Sequence, residues 1–173
     1  MTLTDLLVSV AVLGLLMTAN LTVLQAGSRA WETGAARVEA QENARVALTR
    51  MARDIKTAGA GAAATFAAVT VAEPARIVFH RDENDDRVIA GTRETITWKL
   101  DAGILRRDAG GGAQPIVNGV RALAIRYFDA AGAPAAVPED VRSVEITLTT
   151  EPVSVVGTGV RTTVSTRVRL RNR

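Results

Sequence analysis

From Leu3 to Leu24 the chain is apolar on almost every helical face, and from Arg29 onward charged positions come in between the apolar ones. The first stretch tolerates Thr4, Ser9, Thr18, Asn20 and Thr22 as polar interruptions and carries Asp5 as its single charge. It matches the run of about 20 residues that crosses a bilayer, and predicts an apolar membrane helix over residues 1–27. Downstream, Trp31, Ala35, Val38, Leu48, Met51, Ile55 and Ala58 are largely spaced by three and four. Arg29, Glu32, Arg37, Glu39, Glu42, Arg45, Arg50, Arg53 and Asp54 fill the other faces, which predicts an amphipathic continuation of the same helix over 28–60. Gly59 and Gly61 supply its stop. Such a helix would be roughly 80 Å long at 1.5 Å per residue. A single domain of 173 residues cannot bury that length, so one half must lie in lipid or between copies of the chain. The weakest helix formers in the apolar half, Gly14, Thr18, Asn20, Thr22 and Val23, fall in one stretch.

Beyond residue 66 the period changes to two. ARIVFHR, ETITWKLD, GILRRD, VRALAIRYFD, VRSVEITLTT and VRTTVSTRVRLRN predict strands, separated by turn-rich DENDD, DAGG and DAAGAPAAVPED. No helical crossover lies between them, so the strands pair antiparallel. The expected fold class is α+β, with a long N-terminal helix laid on one face of an antiparallel sheet that forms a globular head over 61–173.

Composition narrows the function classes. With 47% hydrophobic and 23% charged residues, the chain is neither disordered nor a multi-span membrane protein. Its few aromatic residues, two Trp, one Tyr and three Phe, argue against a base-stacking surface. The net charge of +3 rests on Arg, much of it in Arg161, Arg167, Arg169, Arg171 and Arg173. These alternate with apolar or small residues as on a solvated strand face, so no nucleic-acid partner is expected. With no cysteine, Cys-based metal sites, thiol catalysis and disulfides are excluded. The apolar run lacks the basic flank of a removable secretory signal. A buried core helix is the other reading of so short a run, but nothing else in the chain is large enough to wrap it.

Candidate chemistry is sparse. His80, the only histidine, has Asp82 and Asp85 nearby but no serine in a nucleophile elbow, and reads as a strand-end residue. Asp82, Asn84 and Asp86 have the 1, 3, 5 spacing of a Ca²⁺ loop. Position 6 is Arg87 instead of Gly and position 12 is Arg93 instead of Glu, so a plain polar hairpin loop is the favoured reading and no cofactor is expected. DAGGGAQP reads as a flexible turn, with no Lys-Ser/Thr or helix behind it to cradle phosphate.

MTLTDLLVSVAVLGLLM resembles the mature N-terminus of type IV pilins and type II secretion pseudopilins. Their pattern is an aromatic first residue, Thr-Leu, a glutamate, then an apolar helix with a glycine. Thr2, Leu3, Leu6, Leu7, Val8 and Gly14 match without a gap, while Met1 replaces the usual Phe and Asp5 the glutamate. Further along, ARVALTRMARDIKTAGA, ETITWKLDAGILRRDAGG, VRALAIRYFD and VRSVEITLTT resemble the PilW and GspJ branch of minor pilins and pseudopilins.

The resemblance implies a subunit processed by prepilin peptidase so that Met1 carries a free amino group. It is held in the inner membrane and then added by an assembly platform to a periplasmic or extracellular filament of similar subunits. Met1, Asp5 and Gly14 are then assembly residues, with the Asp5 carboxylate pairing the amino group of a neighbour; each charge alone is costly in lipid. Without a neighbour, Asp5 is a favourable charge at a helix N-terminus. Two other function classes stay open: a membrane-anchored binding or sensor domain that never polymerises, and an anchored enzyme, against which the missing catalytic constellation counts.

Overall fold

Helix α1 runs from Leu3 to Lys56 without a break in the computed structural model, which describes residues 2–61, 66–90, 92–152 and 160–172. Eight strands follow among the described residues: β1 (Val69–Glu73), β2 (Arg76–His80), β3 (Thr95–Asp101), β4 (Ile104–Asp108), β5 (Gln114–Val117), β6 (Val120–Phe128), β7 (Ser143–Thr150) and β8 (Thr162–Arg169). The chain divides into two units, Met1–Ala36 and Arg37–Arg173.

The first unit is helix alone. Every described residue from Thr2 to Ala35 is exposed, large hydrophobes included. α1 is long and apolar enough near its N-terminus to cross a membrane. Its side-chain polar groups are satisfied locally: Ser9 donates to the Asp5 carbonyl at 2.8 Å, Thr18 to Gly14 at 2.8 Å, Asn20 to Leu16 at 2.9 Å and Thr22 to Ala19 at 2.7 Å. An apolar solvent offers no other partners for those groups.

In the second unit the remaining turns of α1 pack on the strands through Ala40, Ala44, Ala47, Leu48, Met51 and Ile55, all buried. This corrects the expected stripe. Trp31 is 80% exposed and Val38 and Ala35 are also exposed, and alanines replace them on the buried face. Short side chains let the helix backbone come close to the strands: the Thr150 hydroxyl, fully buried, donates to the Ala40 carbonyl at 2.7 Å. Near the other end, Asp54 accepts from the Trp98 indole at 3.1 Å and from the Arg107 guanidinium at 2.6 Å. The helix ends as expected before a left-handed glycine, Gly59 at φ +74°, whose N–H donates to the His80 carbonyl.

The strands are antiparallel throughout but form two sheets where one was expected, β1-β2-β3-β4-β5 and β6-β7-β8. The break falls between β5 and β6. Gly119 adopts φ +71° there and redirects the chain, and the Val120 N–H donates to the Gly103 carbonyl instead of pairing along β5. β1 was not anticipated, and β5 takes Gln114 and Pro115 out of the supposed flexible turn. Pro115 lacks an N–H but sits in an edge strand, where a missing donor is tolerated. Both sheets and α1 share one core, in which Trp98, Phe79, Ile77, Ile96, Leu105, Ile146 and Leu148 are the largest strand contributors. Tyr127 of β6 ties the sheets together by donating to the carbonyls of Glu73 and Arg76. Burial and the nearby Glu73 charge hold its hydroxyl well above the usual tyrosine range.

Candidate functional site

Two places collect the residues singled out above. The first is the start of α1. Thr2 is its N-cap: the Asp5 N–H reaches the Thr2 hydroxyl at 3.4 Å, and the Thr2 N–H donates back to the Asp5 carboxylate at 2.9 Å. This reciprocal pair is a capping box, with Asp in the place more often held by Glu or Gln. Within one chain the acid therefore has a use that needs no neighbour: it satisfies a backbone donor and complements the positive end of the helix. Met1 lies outside the described residues. Gly14 is an ordinary helical residue, and a Cβ built there would meet nothing within 4 Å. Glycine in a helix interior costs about 1 kcal/mol against alanine. Nothing in the chain itself crowds this position.

The second place is the loop from Arg81 to Glu94, between β2 and β3. Asp82 is 5% exposed and Glu94 2% exposed, whereas Asn84 and Asp86 are at the surface. The backbone turns through left-handed conformations at Asp85, Arg87 and Arg93. Asn84 and Asp86 brace one another, the amide donating to the carboxylate at 2.8 Å and the Asp86 N–H to the Asn84 carbonyl at 3.0 Å. Asp86 also accepts from the Val88 N–H at 2.7 Å. One carboxylate oxygen from each of Asp82, Asp86 and Glu94 falls within 4.8 Å of the others. The 1, 3, 5 spacing puts Asn84 with Asp82 and Asp86; the fold brings Glu94 to the two aspartates instead, while Asn84 braces Asp86.

No protein-family model matches the chain, and no curated protein matches it. The fold and these two clusters therefore carry the functional reading.

His80 ends β2, where the sequence placed it. Its ring lies between the Thr70 hydroxyl at 3.1 Å and the Thr95 hydroxyl at 3.0 Å, and burial lowers its pKa. Arginines dominate the surface clefts. One is bounded by Arg50, Arg81, Arg93 and Arg107; another includes Arg45, Arg53 and the paired Asp54. On β8, Arg167 lies 4.2 Å over the Phe128 ring and donates to the Ser143 hydroxyl, so this arginine is held on the sheet surface.

Glu94 and the Thr2 partner of Asp5 were missed. Thr-x-x-Asp at the head of an apolar run is the capping signature and was legible. Glu94 had no such signal, because only the fold of a long loop brings it to Asp82.

Proposed function

We propose that this chain is a structural subunit of a type IV pilus or type II secretion pseudopilus filament, of the minor or tip-forming kind. It sits in the inner membrane through Leu3–Leu24 and assembles through the same helix once extracted. The observation that carries the reading is the predominantly apolar, exposed surface of α1 from Leu3 to Leu24, with Ser9, Thr18, Asn20 and Thr22 turned onto the helix's own backbone. Such a surface suits lipid and the dry interior of a helical filament equally, so the subunit exchanges one for the other at little desolvation cost. Gly14 fits this reading, since a side chain missing where the chain has open space allows another helix to approach. The sheets supply lateral contacts, and the work of the protein is assembly rather than catalysis.

The test is to shear surface filaments from cells, purify them and search them for this chain by mass spectrometry. Its presence there supports the reading. Absence from filaments, with the chain retained in the membrane as a monomer, favours the second reading: a membrane-anchored binding domain that does not polymerise. One observation favours that alternative. Asp5 already accepts from the Thr2 N–H, so its carboxylate has a hydrogen-bond partner within its own chain.

A further inference from the structure

We infer that Asp82, Asp86 and Glu94 form a Ca²⁺ site that fastens the β2–β3 loop to the end of α1, a role independent of whether the chain polymerises. The decisive observation is Asp82. Its carboxylate is shut from solvent, yet only one oxygen is engaged, Oδ2 accepting from the Arg87 N–H at 2.9 Å. Oδ1 is buried with no hydrogen-bond partner. Among the described residues no salt bridge reaches Asp82 or Asp86. The neighbouring cation, Arg81, is turned to Glu83 and to the Arg93 carbonyl. A buried carboxylate with one oxygen lacking a donor, clustered with two further carboxylates, is unfavourable unless a cation sits among them.

The donor set selects the cation. All three groups are carboxylates and none is nitrogen or sulfur, which suits a hard ion. Three oxygens spaced evenly around one Ca²⁺ at about 2.4 Å stand about 4.2 Å apart, so a cluster already within 4.8 Å closes on calcium by small side-chain rotations. The scaffold is built around Asp82. Its N–H donates to the Ala60 carbonyl at 2.8 Å, and Gly61, at φ +121°, lies against it. A Cβ at position 61 would come within 3.0 Å of the Asp82 carbonyl oxygen and closer still to its Cβ, so only glycine allows the segment after α1 to close over the carboxylate. On the other side the Ala90 N–H holds Glu94 through Oε2 at 3.0 Å. The glutamate that a calcium loop places at position 12 thus stands one residue later, at 94 instead of 93.

The experiment is thermal unfolding and calorimetric titration of the full chain in detergent micelles, stripped with EGTA and then given CaCl2 or MgCl2. Calcium well above its Kd raises Tm by about 5 °C or more, and magnesium raises it less. Asp86→Asn, at the exposed rim, weakens calcium binding at least tenfold while shifting Tm in EGTA by far less than calcium shifts the wild type. Asp82→Asn abolishes the calcium response and holds or raises Tm in EGTA, because a buried charge is gone. Neither heat nor a Tm change up to about 10 mM calcium, beyond the range of weak extracellular calcium modules, overturns the site. So does an equal response to magnesium, or an unchanged calcium affinity in Asp86→Asn.

Discussion

One helix serves two environments, and the residues along it differ accordingly. Over Leu3–Leu24 bulky apolar side chains predominate on nearly every face and all are exposed; over Arg37–Lys56 the buried face is largely alanine until Leu48, Met51 and Ile55. The first pattern asks for a uniform apolar surround. The second asks for a close, specific neighbour, since alanine buries little area but lets backbones approach. The comparison teaches that apolar bulk is a poor guide to what a helix packs against: Trp31, the largest side chain on α1, is exposed, and Ala40 and Ala44 are fully buried.

The contrast can be broken most strongly from the packed side. Met51→Ala leaves a cavity beside the core strands and destabilises the compact unit by about 2–5 kcal/mol. Leu15→Ala, the same kind of truncation on the exposed half, leaves its melting temperature unchanged. Equal losses in the two variants, measured by denaturant unfolding in micelles, would erase the distinction. Next in size, Leu13→Arg costs about 3 kcal/mol of membrane insertion, read as a shift from membrane to soluble fractions, with no change in the fold of Arg37–Arg173.

Asp5 gives a smaller and sharper comparison. Asp5→Ala removes the box and costs about 1 kcal/mol at the first turn, seen as faster amide exchange at Leu6 and Leu7. Asp5→Asn keeps an acceptor for the Thr2 N–H but discards the charge. If filament entry needs a charge pair with a neighbour, both variants fail to enter; if the cap is all that matters, Asp5→Asn enters normally. The smallest effect is expected at His80. Its lowered pKa means the folded state prefers the neutral ring, so its contribution is intact above the ordinary value of 6.5 and is lost as pH falls below it. Between about pH 7.5 and 5.5, wild type should lose more stability than His80→Gln. Parallel curves would remove the histidine from the account.

Much of the fold was legible because local chemistry and tertiary packing agree. Alternation in TITWKLD and SVEITLTT marked β3 and β7, the short apolar run in RIVFH marked β2, and Gly59 marked the end of α1. Where they compete, the reading failed. VTVAE was overlooked as a strand behind an Ala/Gly-rich segment, and QPIV looked like a turn because glycines precede it and proline cannot donate. Only pairing with β2 and β4 makes them strands. The division into two sheets rests on one left-handed glycine at position 119, and a sequence with several glycines does not announce which one turns the chain. At the candidate sites the same limit applies. Asp5 and Thr2 are local partners and could be read together, whereas Asp82, Glu94 and Gly61 meet only through the loop's path.

Among the described residues, hydrogen bonds at two places along α1 hold it to the strands, and they also set how the compact unit bears load. Thr150 grips the helix at Ala40 on behalf of β6-β7-β8, and Asp54 grips Trp98 and Arg107 on behalf of β1-β2-β3-β4-β5. Each sheet has its own rivet, more than three turns from the other along the helix. Tension drawn along α1 is therefore split between two anchorages, and the sheets can yield one at a time. Cutting the Asp54 anchorage would unload the larger sheet while the smaller still held, leaving one rupture where there had been two.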